Sequence, residues 1–205
     1  MYSMLIQQCS THVRNTLFKW FQKLNIHPAE TEKTCCKIWK NVYAVTDEMK
    51  LREFQWKLLH RLLPCNKYLY FWKKKDSMDC SVCHQVDSLE HKFLYCQIAE
   101  KYWKRVKNIA AKLTGETIEI TAENIIFTEL VTTVSLHVNC RVIQLLSLLG
   151  KWSIHKCWVT GMNTPIEIIL KNEFVLRYNF EKEVHKRVDV LEVFEQSVNL
   201  VIFVM

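Results

Sequence analysis

The stretch CSVCHQVDSLEHKFLYC, Cys80 to Cys96, places three cysteines and two histidines within seventeen residues. Four of these side chains follow the order Cys80-x2-Cys83-x7-His91-x4-Cys96. A Cys-x2-Cys turn brings two sulfurs to one ion, and the loop that follows lets the chain return. His91 and Cys96 then reach in from the start of the next helix or from the turn before it. Thiolate and imidazole are the donors that Zn²⁺ takes in tetrahedral sites, and four protein ligands close its shell. The expected cofactor is therefore one structural Zn²⁺ with no open catalytic position. His84 adjoins Cys83, and adjacent residues rarely point at the same ion, so it is the weaker candidate ligand.

The rest of the cysteine usage agrees. There are nine cysteines in all, an odd number. The opening MYSMLIQQCSTHVRN has neither the basic start nor the unbroken apolar core of a signal peptide. An intracellular protein, cytoplasmic or nuclear, is expected, in which thiols stay reduced and clustered cysteines serve as metal ligands. No membrane association is expected either. The most apolar run, Val142 to Gly150, is bracketed by Arg141 and Lys151, whereas a span needs about 20 apolar residues.

Working outward from the cluster, the flanks read as helices. Gly 3 and Pro 3 in 205 residues are too few for the turns of an all-β fold. With 49% hydrophobic residues the chain can bury a core. The fold class expected is mainly α, a small helical bundle with a zinc-stapled loop. HVRNTLFKWFQKLNI and TCCKIWKNVYAV form early helices. In the helix 51–63, Leu51, Phe54, Leu58 and Leu62 make one apolar stripe beside Gln55 and Leu59, and Pro64 ends it. Asn66 is placed to cap a following helix, KYLYFWKKK. Residues 76–92 form a loop and the cluster.

A helix then runs from Gln97 to Leu113, with Ala99, Trp103, Val106, Ala110 and Leu113 inward and Lys101, Arg105, Asn108 and Lys112 outward. Gly115 closes it. ETIEITAENIIF is a linker with a short helix or turn, and residues 131–158 form a long buried helix. Thr164-Pro165-Ile166-Glu167 carries the capping signals of a helix start. The last eight residues, VNLVIFVM, either fill the core or form an exposed apolar end. Three segments are expected: 1–40 helical, 41–113 holding the metal cluster, and 114–205 a helical tail.

Charge concentrates around the cluster. The chain's formal net charge is +7, and residues 51–112, with thirteen Lys/Arg against six Asp/Glu, account for the whole excess. Such concentration fits a polyanion partner or a solvated basic surface. The candidate phosphate contacts are Arg52, Lys57, Arg61, Lys67, Lys73, Lys74, Lys75, Lys101, Lys104, Arg105 and Lys107. Tyr68, Tyr70, Phe71 and Trp72 either stack unpaired bases or pack in the core.

Taken together, Phe54, Trp56, Leu58, Leu59, His60, Leu63, Pro64 and Asn66, then the Cys/His spacing, then Trp103, resemble the zinc-binding region that follows the reverse transcriptase domain in non-LTR (LINE-type) retrotransposon polyproteins. The resemblance covers about residues 38–108, and Gly150 to Leu170 looks like the weakly patterned tail of the same polyproteins. It implies a stand-alone C-terminal fragment and a role in holding single-stranded or structured RNA or DNA. Cys65 stands where the family usually has Thr.

No catalytic residue is expected. The chain has no Asp-Asp pair and no Gly-rich phosphate loop, and His137/Cys140 and His155/Cys157 lie on a helix that reads as core. The alternatives to nucleic-acid binding are a zinc-stabilised scaffold that docks a protein partner, or an element remnant without a selected function.

Overall fold

A computed structural model describes residues 11–27, 31–115, 119–128, 137–161 and 166–185. They are mainly helical: α1 Thr11–Leu24, α2 Thr31–Ala44, α3 Met49–Leu59, α4 Asn66–Phe71, a π-helical turn His91–Tyr95, α5 Gln97–Thr114, α6 Ala122–Phe127, α7 His137–Val159 and α8 Ile166–His185. Among the described residues there is no strand, only an isolated antiparallel bridge between Asp79 and Val86. The chain divides into two compact units, one of residues 1–91 with 121–129 and one of 92–120 with 130–205.

In the first unit α3 is the central element, packed against α1, α2 and α6. Its Leu51, Phe54, Leu58 and Leu59 are buried with Leu17, Trp20 and Phe21 of α1 and Ile38 and Val42 of α2. Burial of each such side chain contributes about 1.5–3 kcal/mol before chain entropy is counted. The short helix α6 is opened by a reciprocal cap: Thr121 Oγ1 accepts from the Asn124 amide at 3.2 Å, and Asn124 Oδ1 accepts from the Thr121 amide at 2.9 Å. It is fixed to α3 by a buried hydrogen bond from Gln55 Nε2 to the Ile126 carbonyl at 2.8 Å. The Phe21 and Phe127 rings meet edge to face, 5.5 Å between centroids.

Leu62 departs from the stripe expected of it. It is 59% exposed. The helix stops at Leu59, five residues before Pro64, because Arg61 turns left-handed at φ 58. The Arg61 amide then bonds the Leu58 carbonyl at 2.9 Å and the Leu62 amide the Lys57 carbonyl at 2.9 Å, which satisfies two orphan carbonyls and carries Leu62 off the helix face. The same two-bond stop closes α1 at Asn25, φ 53, and α4 at Lys73, φ 53. Left-handed glycines serve at two other described helix ends, Gly115 (φ 74) after α5 and Gly161 (φ 72) after α7.

In the second unit α7 is the centre, packed against α5 and α8. Ala99, Trp103, Val106 and Ala110 of α5 are buried as their spacing requires, with Tyr102 and Ile109 beside them, while Lys101, Asn108 and Lys112 face solvent. The Tyr102 hydroxyl donates to the Leu146 carbonyl at 2.9 Å, and its full burial pushes the phenol well above its ordinary pKa. A Cβ at Gly150 would overlap the Tyr102 ring, so this glycine is there for close approach rather than for backbone freedom. Glu173 of α8 is buried between Lys156 and Arg177. No described helix is long and apolar enough to cross a membrane. The first residues of the expected helix 131–158 (131–136), the Thr164-Pro165 start signal and VNLVIFVM lie outside the described residues.

The Lys151 amine is fully buried on α7, and that burial holds its pKa well below the ordinary 10.5. A folded-state pKa below the unfolded one favours unfolding wherever the unfolded amine is protonated, with the full effect below the folded pKa. That penalty fades as pH rises toward the unfolded value. Lys151→Met is therefore expected to stabilise the protein against urea near neutral pH, with an advantage that shrinks as the pH approaches that of free lysine. An advantage independent of pH would show that the amine stays charged in the folded protein.

Candidate metal centre

Cys80 and Cys83 sit on a tight turn at the tip of a minimal hairpin. The Cys80 amide bonds the Gln85 carbonyl at 2.7 Å, and the Asp87 amide bonds the Met78 carbonyl at 2.8 Å, on either side of the Asp79–Val86 bridge. Inside the turn the Val82 amide points at Cys80 Sγ, 3.5 Å away, and the His84 amide bonds the Cys80 carbonyl at 3.0 Å. Backbone N–H donors aimed at a sulfur suit a thiolate. His84 closes the turn with a left-handed φ of 58 and an exposed side chain, which leaves it outside the cluster.

His91 and Cys96 come from the next element. Ser88 Oγ accepts the His91 amide at 3.1 Å, capping the helical turn that begins at residue 89. His91 opens the π-helical turn, and Cys96 stands at the N-cap of α5. The π turn widens the backbone between them, so that residues five apart point to one place. Trp103 Nε1, from α5, donates to the Phe93 carbonyl of the π turn at 2.7 Å.

These elements bring one ligand atom from each of Cys80, Cys83, His91 and Cys96 to within 4.8 Å of one another. Cys83 Sγ and His91 Nε2 are 3.2 Å apart. The ligand atoms of a tetrahedral ion with bonds of about 2.0–2.3 Å are separated by roughly 3.3–3.8 Å, so the spread fits one small cation. Cys80, His91 and Cys96 are buried and Cys83 half-buried, and none of the three cysteines is in a disulfide. The four residues read from the sequence are the four the fold brings together, and they could hold one metal ion.

Two further residues support the cluster, and only one of them, Asn66, had a sequence signal. Asn66 was expected to cap α4 with its side chain. It is instead the first residue of that helix and is buried, with Nδ2 donating to the Asp79 carbonyl at 2.6 Å. The cap comes from Asp87, twenty-one residues on, whose Oδ2 accepts the Asn66 amide at 2.8 Å and whose carbonyl accepts the Lys67 amide at 3.1 Å. Asp87 thus ties the hairpin that carries Cys80 and Cys83 to the N-terminus of α4, where its negative charge also suits the helix dipole.

The basic residues sort into two groups. Several are used internally. Arg52 donates to the Tyr43 and Thr46 carbonyls and pairs with Asp47 at 2.6 Å. Arg61 pairs with Glu90 at 2.6 Å and lies over the Trp20 ring at 4.4 Å. Burial alone would raise the Glu90 carboxyl, but the Arg61 guanidinium and hydrogen bonds to its charged form outweigh it and hold the pKa below the usual value. Lys75 Nζ donates to Asn66 Oδ1 at 2.8 Å. Lys57 forms an exposed pair with Glu53, and Arg105 is half-buried. Facing solvent are Lys73 and Lys74 in the first unit and Lys101, Lys104 and Lys107 in the second, with Lys67 half-buried.

Compared with protein-family models, curated proteins and solved structures, the chain matches none.

Asp87 positions ligands without being one, and that role is separable by measurement. Asp87→Ala is expected to lower stability by about 1–2 kcal/mol through the lost cap. Metal affinity, read by competition with a chromophoric chelator, should fall about tenfold to a hundredfold. Stoichiometry at saturating metal should remain one ion per chain. Loss of the ion altogether would place the carboxylate in the coordination shell.

Proposed function

We propose that the chain is a zinc-stapled, non-catalytic nucleic-acid-binding module of the kind that follows the reverse transcriptase domain in retrotransposon polyproteins. The observation that carries the reading is the cluster of Cys80, Cys83, His91 and Cys96, four ligand atoms within 4.8 Å, inside the segment that holds the chain's whole positive excess. Three thiolates and an imidazole are a donor set suited to Zn²⁺. With all four positions filled by protein, such an ion supplies folding free energy and no activated water.

The residues behind the family resemblance have physical roles that support the reading. Phe54, Leu58, Leu59 and Leu63 are core. The His60 ring lies against Trp39 and Trp56, at 5.0 and 4.2 Å between centroids. Asn66 joins α4 to the hairpin.

The exposed lysines supply phosphate contacts, and their affinity is set by counterion release rather than by base readout. The carboxylates nearest the cluster do not form a metal-activating pair on this reading. Asp79 Oδ2 accepts from Ser77 Oγ at 2.8 Å, and Asp76 is exposed beside Lys75.

Purified protein is expected to carry one zinc per chain by native mass spectrometry, and Cys83→Ser to carry none; equal zinc in both would remove the basis of the proposal. Affinity for labelled RNA should fall steeply with salt, the slope of log affinity against log salt being about −0.7 for each phosphate neutralised on a single strand. An affinity indifferent to salt would favour a protein-docking role instead.

A further inference from the structure

The end of α4 exposes three consecutive aromatic rings. Tyr70, Phe71 and Trp72 are 41%, 65% and 63% exposed. Large aromatics ordinarily dominate cores, and a row of three left in water calls for a partner. The rings are arranged as surfaces: Tyr68 and Trp72 lie 6.2 Å apart with planes tilted 33°, and Phe71 meets Tyr70 edge on at 6.0 Å. Tyr68 is half-buried and its hydroxyl lies 3.5 Å from Arg61, which leaves Trp72 as the outer face of that pair.

Directly after the rings comes charge. The Lys73 amide bonds the Tyr70 carbonyl at 2.9 Å and the Lys74 amide the Leu69 carbonyl at 2.8 Å, so the left-handed stop at Lys73 folds both exposed lysines back at the helix end. From Asn66 to Lys75 there are four lysines and no acidic residue, and Asp76 closes the run.

We infer that this aromatic end of α4 is a stacking platform for unpaired bases of a single-stranded nucleic acid, with Lys73 and Lys74 on the adjoining phosphates. The inference rests on the nucleic-acid reading above and adds strandedness to it. Chemistry on the page selects this occupant. A base has an apolar face at the spacing of its charged phosphate, and the site offers exposed rings beside exposed ammonium groups. A protein-docking core would be depleted of lysine. A bilayer-binding helix needs a long apolar face, and α4 has six residues. In a duplex the base faces are stacked on each other and cannot reach the rings, so the platform discriminates against paired strands.

The test uses the full zinc-loaded chain with a fluorescent 12-nucleotide oligouridine, the matching 12-base-pair RNA duplex and phosphatidylserine-containing vesicles. Phe71→Ala/Trp72→Ala removes exposed rings only, and its melting temperature should match wild type. It is expected to lose about tenfold or more in affinity for the single strand, while duplex affinity and the salt dependence stay as they were. Lys73→Glu/Lys74→Glu is expected to weaken both probes and flatten the salt dependence. Equal losses on single strand and duplex, or no loss on either, would overturn the stacking platform and leave the phosphate-binding reading standing. A variant that loses vesicle binding while oligouridine affinity is unchanged would likewise overturn it in favour of a lipid surface. Failure of wild type to bind either nucleic acid at any salt would overturn both readings.

Discussion

The convergence of four ligand atoms between Cys80 and Cys96 is the constraint on which the local structure depends. The hairpin around Cys80 and Cys83 has almost no core of its own: Ser81, His84, Gln85 and Val86 are all exposed. A loop of this kind does not bury enough apolar surface to offset the entropy of ordering it. What fixes it comes from elsewhere, namely the sulfurs and imidazole that share one point, and the Asp87 carboxylate on the first amide of α4. On the reading proposed above, the ion closes a loop of seventeen residues and so takes the place of a hydrophobic core that a segment this polar cannot build.

That arrangement explains which parts of the sequence were legible. The ligands are specified by residue type and spacing, which a linear reading recovers. The helical character and the inward face of α5 follow from periodicity, and Ala99, Trp103, Val106 and Ala110 are buried as that period requires. Asp87 carries no such local mark. Its bond to Asn66 joins residues twenty-one apart, and only the folded hairpin makes them neighbours. The role of Asn66 was misassigned for the same reason: a residue of good capping type stood one position inside the helix, because a more distant acceptor had taken the cap.

The charge reading was coarse in detail. Composition placed the positive excess between residues 51 and 112 but could not separate a guanidinium held by Glu90 and Trp20 from an ammonium in water. Arginine forms planar, partly buried contacts readily, and Arg52 and Arg61 are used in that way. The lysines, whose compact charges are strongly hydrated, make up the solvent-facing set. An aromatic residue is equally ambiguous in sequence, since the same ring serves core or surface. The exposure of Phe71 and Trp72 settles their place, and spacing alone did not.

The scarcity of glycine links these observations. A helix that reverses direction commonly ends on a left-handed residue, for which glycine is preferred because it lacks the Cβ that clashes there. With three glycines in 205 residues, this chain puts Asn25, Arg61 and Lys73 in that conformation instead. Asparagine tolerates it, whereas arginine and lysine do so at a cost of about 1 kcal/mol. At Arg61 the folded state offsets that cost, because the same turn delivers the guanidinium to Glu90 and Trp20. Lys73 receives no such return: its side chain is exposed and has no partner among the described residues. At Lys73 the return is confined to the backbone, where the Lys73 and Lys74 amides satisfy the Tyr70 and Leu69 carbonyls. On the reading proposed above, the exposed Lys73 ammonium next to the rings is available to a phosphate of a bound strand.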